Sequence, residues 1–404
     1  MKKLAINSLA VMLLLLMITG CGPGGEEPIN SIALNKDTVK INIFKTDTLF
    51  ATLKFNSTEP LVWSSDNEDI ATVFYGIVNA KYPGICNITV TCGDLSAICV
   101  VKVFPSGVDP NEPPINPIEG YTLVWADEFN GTELNRNVWN IEVSSNGGGN
   151  AEWQYYTDRP ANVWLGTAPT GEKCLVLTAK KEMYTQSGVT RHCTSGRVNT
   201  KKNLTFTHGL IEAKINIPLT ANGLWPAFWL MGNDYDQVGW PKCGEIDIME
   251  MGNRNGIIRG TQDRYFSGWF HWGPSYNNGA YPNTGKDKTN DYSIQGSFHT
   301  FRMYWDADQI RMYLDQDIYP NIAPYCSLSI PASDADNAAG KYFHKPFFIL
   351  FNLAIAGNFT GITGNYDMSR ITALNEANDY TAHYYIDYVR IYQKGEANEN
   401  FWQK

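Results

Sequence analysis

Short runs of alternating or wholly apolar residues, cut every few positions by glycine, proline or asparagine, constrain this chain more than any other feature. Leu175–Ala179, Gly209–Ile217, Thr300–Trp305, Phe347–Ile355 and Tyr385–Tyr392 are of this kind. Their β-branched and aromatic residues favour strands, and their length fits strands buried on one or both faces. With 35 Gly and 20 Pro spread through 404 residues, no stretch supports a long amphipathic helix. The expectation is an all-β chain, built as packed sheets rather than a bundle.

One of these runs carries too much charge for a structural strand. Gly244-Glu245-Ile246-Asp247-Ile248-Met249-Glu250-Met251 places three acids within six residues among apolar neighbours. Residues two apart on a strand share a face, so Glu245 and Asp247 point one way and Ile246 and Ile248 the other. Like charges on one face repel, and burying them unpaired is costly. Strict alternation would put Glu250 on the apolar face. One extra residue near Ile248-Met249, a β-bulge, would return it to the face of Glu245 and Asp247. Two such carboxyls ~5 Å apart could act as nucleophile and general acid/base on a glycosidic bond, with Asp247 tuning their protonation.

The rest of the chain narrows the setting. A net charge of −9, with no Lys/Arg run after the start, argues against nucleic acid and favours a neutral ligand. Residues 1–20 read as a signal: Lys2 and Lys3, then a mostly apolar stretch from Leu4 to Ile18, too short to span a membrane. Ile18-Thr19-Gly20-Cys21 resembles a lipobox, which implies a lipidated Cys21, a membrane anchor and an exported bacterial lipoprotein on the outer cell surface. Residues 21–28 read as a tether. The seven later cysteines show no zinc spacing and read mostly as buried thiols. Residues 29–104 read as a small β-sandwich, and five prolines within 105–117 make 105–119 a semi-stiff linker. The large domain then covers 120–394, and 395–404 reads as a frayed tail.

Trp63-Ser64-Ser65-Asp66, Ile70–Val73 and Gly76–Ala80 resemble bacterial immunoglobulin-like group 2 domains, which implies a sandwich whose roles range from spacer to adhesin; a spacer is the expectation here, with carbohydrate binding the alternative. The large domain resembles glycoside hydrolase family 16. The resemblance rests on Glu245-Ile246-Asp247-Ile248-Met249-Glu250 and on five further blocks in family order. These are Trp125–Gly131, Thr194–Thr200, Gly223–Trp229, and the closing pair Asn352–Asn358 and Tyr385–Tyr392. It implies a concanavalin A-like β-jelly-roll, with Glu245 as nucleophile, Asp247 as assisting carboxylate and Glu250 as acid/base. The bulged spelling resembles laminarinases and endo-1,3(4)-β-glucanases, and also agarases and carrageenases; the block Gly223–Trp229 most resembles the laminarinase-type branch, which implies β-glucan as substrate. Phe359 stands where laminarinases often have Trp, a departure that bears on fine specificity. The alternatives are an agarase- or porphyranase-type galactanase and, because the fold also hosts lectins, a silent glycan-binding protein.

Sugar faces pack on aromatic rings, so Trp225, Trp229 and Trp153 are candidate substrate contacts. Asn150 and His271 resemble family sugar-site residues. No cofactor is needed for the chemistry. The resemblance implies a structural calcium, with Glu128 and Asp387 where its ligands would fall. A monomer is expected.

Overall fold

The computed structural model describes residues 30–404, apart from 55–57, 110–114, 116 and 277–278. The signal segment and Cys21 lie outside the described residues. From residue 120 onward two sheets face each other. The first has ten strands, with the path Tyr155–Tyr156, Thr194–Ser195, Lys173–Lys180, Thr381–Gln393, Gly209–Asn216, Phe298–Trp305, Gln309–Leu314 and Cys326–Ser329. The second has nine, with the path Asn140–Ile141, Arg197–Asn199, Phe347–Ile355, Leu224–Gly232, Glu245–Met251, Tyr265–His271 and Asn283–Thr289.

Alternation decides what fills the space between them. Ile211, Ala213, Ile215, Phe301, Met303 and Trp305 come from the first sheet. Phe228, Leu230, Ile246, Ile248, Phe266, Phe270, Ile349 and Phe351 come from the second, and all join one buried core. Each such large side chain contributes roughly 1.5–3 kcal/mol by leaving water. Because these positions face inward, their neighbours on the nine-stranded sheet are committed to its outer face.

Residues 30–104 have a separate core of Val39, Ile41, Val78, Ile88 and Val101. It lies between a four-stranded sheet (Thr38–Asn42, Leu95–Phe104, Gly84–Cys92, Val62–Ser65) and a three-stranded one (Thr46–Thr48, Ile77–Ala80, Ala71–Phe74).

Two connecting segments are more ordered than their composition suggested. The start of the proline-rich stretch joins the large domain: Ser106 N–H donates to Val124 O, and Ala126 N–H to Ser106 O. The tail is not frayed. Asn400–Gln403 forms a strand antiparallel to Leu204–Thr207, extending the nine-stranded sheet. Its Phe401 packs against both cores and stacks on Phe44 at 5.9 Å. Four residues are too few to show an alternation above their polar surroundings, so pairing and burial, not local pattern, define this strand.

Candidate active site

The strand Glu245–Met251 carries the expected bulge. Across from Leu224–Gly232, Trp229 opposes Asp247, Phe228 opposes Met249 and Ala227 opposes Glu250, so Ile248 has no opposite number. The same shift separates Asp247 from Glu250 in the pairing with Tyr265–His271. Ile248 and Met249 both turn into the core, and Glu250 returns to the outer face. The extra residue leaves a carbonyl that the ladder does not use. The buried Tyr325 hydroxyl donates to it, at Ile248 O.

Register then fixes the neighbours in rows across the sheet. One row runs Arg197, Asn352, Ala227, Glu250, Ser267. The next holds Leu350, Trp229, Asp247, Trp269 and Gly285, and a third holds Phe348, Met231, Glu245, His271 and Asn283. Gly285 is required by this packing, since a Cβ there would sit 2.3 Å from the Trp269 ring. Trp229, Ala227, Met231, Phe348 and Leu350 form an apolar patch of their own beside the acids.

Each glutamate receives an indole N–H from a different direction. Trp240 Nε1 donates to Glu245 Oε2 at 2.6 Å, and Trp225 Nε1 donates to Glu250 Oε1 at 3.0 Å. Trp225 also stacks on Phe359 at 4.8 Å, and Trp240 is edge-on to Tyr281 at 4.7 Å. Aromatic pairs thus flank the acids at both ends. His271 Nε2 lies 3.2 Å from Asp247 Oδ2, at ion-pair distance but without hydrogen-bond geometry, and its Nδ1 is 3.0 Å from the Tyr281 hydroxyl. Asp247 Oδ2 is therefore a buried acceptor with no donor of its own.

Burial makes these carboxyls hard to ionise together. Glu245 is pushed up to about 8, first by desolvation and then by the charge of Asp247, against the opposing pull of His271 and the Trp240 N–H. Desolvation also raises Asp247. Glu250 is raised well above the usual carboxylate range by desolvation and then by Asp247. Burial and mutual repulsion therefore oppose ionising all three at once, so the cluster tends to retain a proton, as a site that must donate one requires.

The other expected residues divide. Trp225, Trp229 and His271 lie on the outer face beside the acids. Trp229 is held by Asn352 Oδ1 at 2.7 Å and covered by Arg197, whose own charge is paired with Glu142. Asn150 is exposed, on a turn whose carbonyl accepts from Asn358 N–H, one residue before Phe359. Trp153 is a correction: it is 1% exposed, part of the main core, with Tyr366 5.5 Å away. The loop that holds it is on the surface, but its indole fills the space beneath. Glu128 is paired with Arg390 through both oxygens, and Asp387 with Lys214 at 2.8 Å. Each carboxylate already has a cation, so the pair as arranged does not fit a calcium site.

Trp240, Trp269 and Tyr281 were not singled out from the sequence, and Asn352 entered only as the first residue of a family block. Trp269 could have been, as the residue two before His271 on the same strand. Trp240 and Tyr281 come from loops, and nothing local reveals where a loop ring will land.

Three protonatable carboxyls on one aromatic-flanked face of a two-sheet sandwich define a glycoside hydrolase. Residues 156–330 match the family model for glycosyl hydrolases family 16. A glucan endo-1,3-beta-glucosidase of Cryptopygus antarcticus is 37% identical over 248 residues, 60% of this chain and 83% of that one. Glucan endo-1,3-beta-glucosidase A1 of Niallia circulans is 31% identical over 291 residues, 70% of this chain but only 39% of that protein's length. Among solved structures, a Bacteroides ovatus mixed-linkage glucan enzyme of the family, in complex with a product, superposes with a TM-score of 0.55. It is 34% identical and covers 67% of this chain and all of its own (100%). The chain belongs to glycosyl hydrolases family 16.

Proposed function

We propose that this chain is an endo-acting, retaining β-glucanase that cleaves β-1,3- or mixed β-1,3/1,4-linked glucan. Glu245 attacks the anomeric carbon and Glu250 protonates the leaving oxygen. Glu250 then takes a proton from the water that releases the glycosyl-enzyme. The observation that carries this reading is the bulge at Ile248, which sets Glu250 on the face of Glu245 and Asp247. Proton ordering supports the roles. Glu250, raised well above the usual carboxylate range by desolvation and by both Asp247 and Glu245, keeps its proton for the leaving group. The Trp240 N–H at 2.6 Å offsets part of the burial at Glu245 and favours its ionised form.

Asp247 sits between the two on the strand and raises both, so its charge helps Glu250 hold a proton and release it as Glu245 is consumed. The substrate class is supported by relatives named as endo-1,3-β-glucosidases and by a solved relative holding a mixed-linkage glucan product. An uncharged aromatic surround suits a neutral sugar chain, since the nearby Arg197 is already paired.

Laminarin, barley β-glucan, lichenan and agarose, each incubated with the protein and the products sized, test it. Oligosaccharides from the glucans are expected. Release from agarose alone would favour a galactanase and overturn the glucanase reading.

We also propose that the chain is exported and lipidated at Cys21, with the N-terminal unit a bacterial immunoglobulin-like spacer and the whole acting as a monomer at the cell surface. The lipobox-like Ile18–Cys21 supports the anchor. Fractionation of cells expressing Cys21→Ser tests it, and membrane retention of that variant would contradict it.

A further inference from the structure

The N-terminal unit exposes aromatic rings in a place where a structural role does not account for them. Phe74-Tyr75-Gly76-Ile77 is a two-residue hairpin, with Phe74 and Ile77 paired across it. Tyr75 and Gly76 both have positive φ, 48° and 80°. Such turns favour Asn-Gly or Gly-Gly, because a side-chain-bearing residue is strained there. Tyr75 is nonetheless 78% exposed and Phe74 69% exposed, their rings edge to face at 4.5 Å. The strain holds a ring in water rather than in a core. Backbone strain of this kind clusters at functional sites, and here it accompanies exposed rings that no packing explains.

The sheet behind the hairpin has matching chemistry. In the three-stranded sheet Thr48 opposes Ile77, which opposes Phe74. Thr46 opposes Asn79, which opposes Thr72. Its outer face therefore presents hydroxyls, an amide, an isoleucine and a phenylalanine, and no charge. The other sheet of this unit differs: its exposed Ile85 lies opposite Lys102. An anionic lipid surface or an acidic partner would call for cations, and the three-stranded face offers none. A neutral polyol chain calls for what is there: flat rings for C–H faces and uncharged donors and acceptors for hydroxyls.

We propose that the hairpin Phe74–Ile77 and the outer face of its sheet form a second glycan-binding surface, which holds the chain on insoluble neutral β-glucan while the carboxylates of the large domain cut. The ligand class rests on the glucanase reading; the surface itself does not. The effect is one of effective concentration, greatest on particles and absent on short soluble chains.

The test uses the full chain. With Glu245→Gln to keep the polymer intact, sedimentation with curdlan particles measures binding. Without it, sugar release is compared on curdlan and on laminarin. Phe74→Ala with Tyr75→Ser is expected to lower partition onto curdlan about tenfold, because two rings no longer stack on sugar. It should slow release from curdlan and leave laminarin turnover unchanged. Tyr75→Asn, which relieves the turn, should melt no lower than the parent and still bind curdlan more weakly, so a folding defect cannot explain the loss. Unchanged partition and unchanged curdlan release in both variants would overturn the proposal. So would loss of binding to phosphatidylglycerol vesicles instead of curdlan, which would make the face a membrane contact. If the parent cuts no glucan at all, the glucanase reading fails separately.

Discussion

The indole N–H of Trp240 reaches Glu245 Oε2 at 2.6 Å, from a loop residue five positions before it. A donor at that distance stabilises the carboxylate over the acid, against the burial that raises it. Trp240→Phe keeps the ring and removes the donor. A hydrogen bond to a charged group contributes about 1.5–3 kcal/mol, so kcat/KM should fall about 10–100-fold. The lower limb of its pH profile should also move to higher pH, because Glu245 would ionise less readily. An unchanged profile would show that the contact does not tune the nucleophile.

The bulge depends on a hydroxyl from outside its own sheet. Tyr325→Phe leaves Ile248 O buried without its donor, which costs about 1–3 kcal/mol. Denaturant melts should show that loss, and kcat should fall more than KM changes, because Glu250 is held by the bulge rather than by substrate. If kcat is unaffected, the geometry of Glu250 does not depend on that bond.

Much of this site was legible in the strand itself. Alternation placed Glu245 and Asp247 together, and the spacing to Glu250 demanded one extra residue, which Ile248 supplies. Tyr325, 75 positions beyond Glu250, gave no such sign, because only the packed sheets bring its hydroxyl to the bulge. Trp153 misled in the opposite direction. Its glycine- and asparagine-rich loop reads as surface, yet the indole is buried, since a loop can run outside while one residue anchors it. The tail strand at Asn400–Gln403 was missed for a related reason: its order comes from Phe401 and from pairing with Leu204–Thr207.

Stability should run against catalysis at these acids. Glu250 titrates higher in the folded than in the unfolded protein, so its contribution is full below the unfolded value near 4.5 and is lost as pH rises through the folded one. Glu250→Gln removes that loss. Its melting temperature should exceed the parent's at pH 8, by a gain of roughly 1–2 kcal/mol, and converge with it at pH 4. A variant less stable than the parent at pH 8 would contradict the raised titration.

Phe401 joins two cores, so it should couple their melting. Removal of residues 395–404 should separate one thermal transition into two, with the N-terminal unit melting first, because Phe44 loses its stacking partner Phe401. Catalysis on soluble glucan below the first transition should persist. A single unchanged transition would show that the tail does not link the units.

The division of labour between Glu245 and Glu250 is tested most directly by azide rescue on an activated β-glucoside. With Glu245→Ala the nucleophile is gone, so azide must enter from the face it vacated, and the product should be the α-glycosyl azide. With Glu250→Ala the glycosyl-enzyme still forms, and azide should release it as the β-glycosyl azide. The reverse pair of products, or the same anomer from both variants, would contradict the assignment.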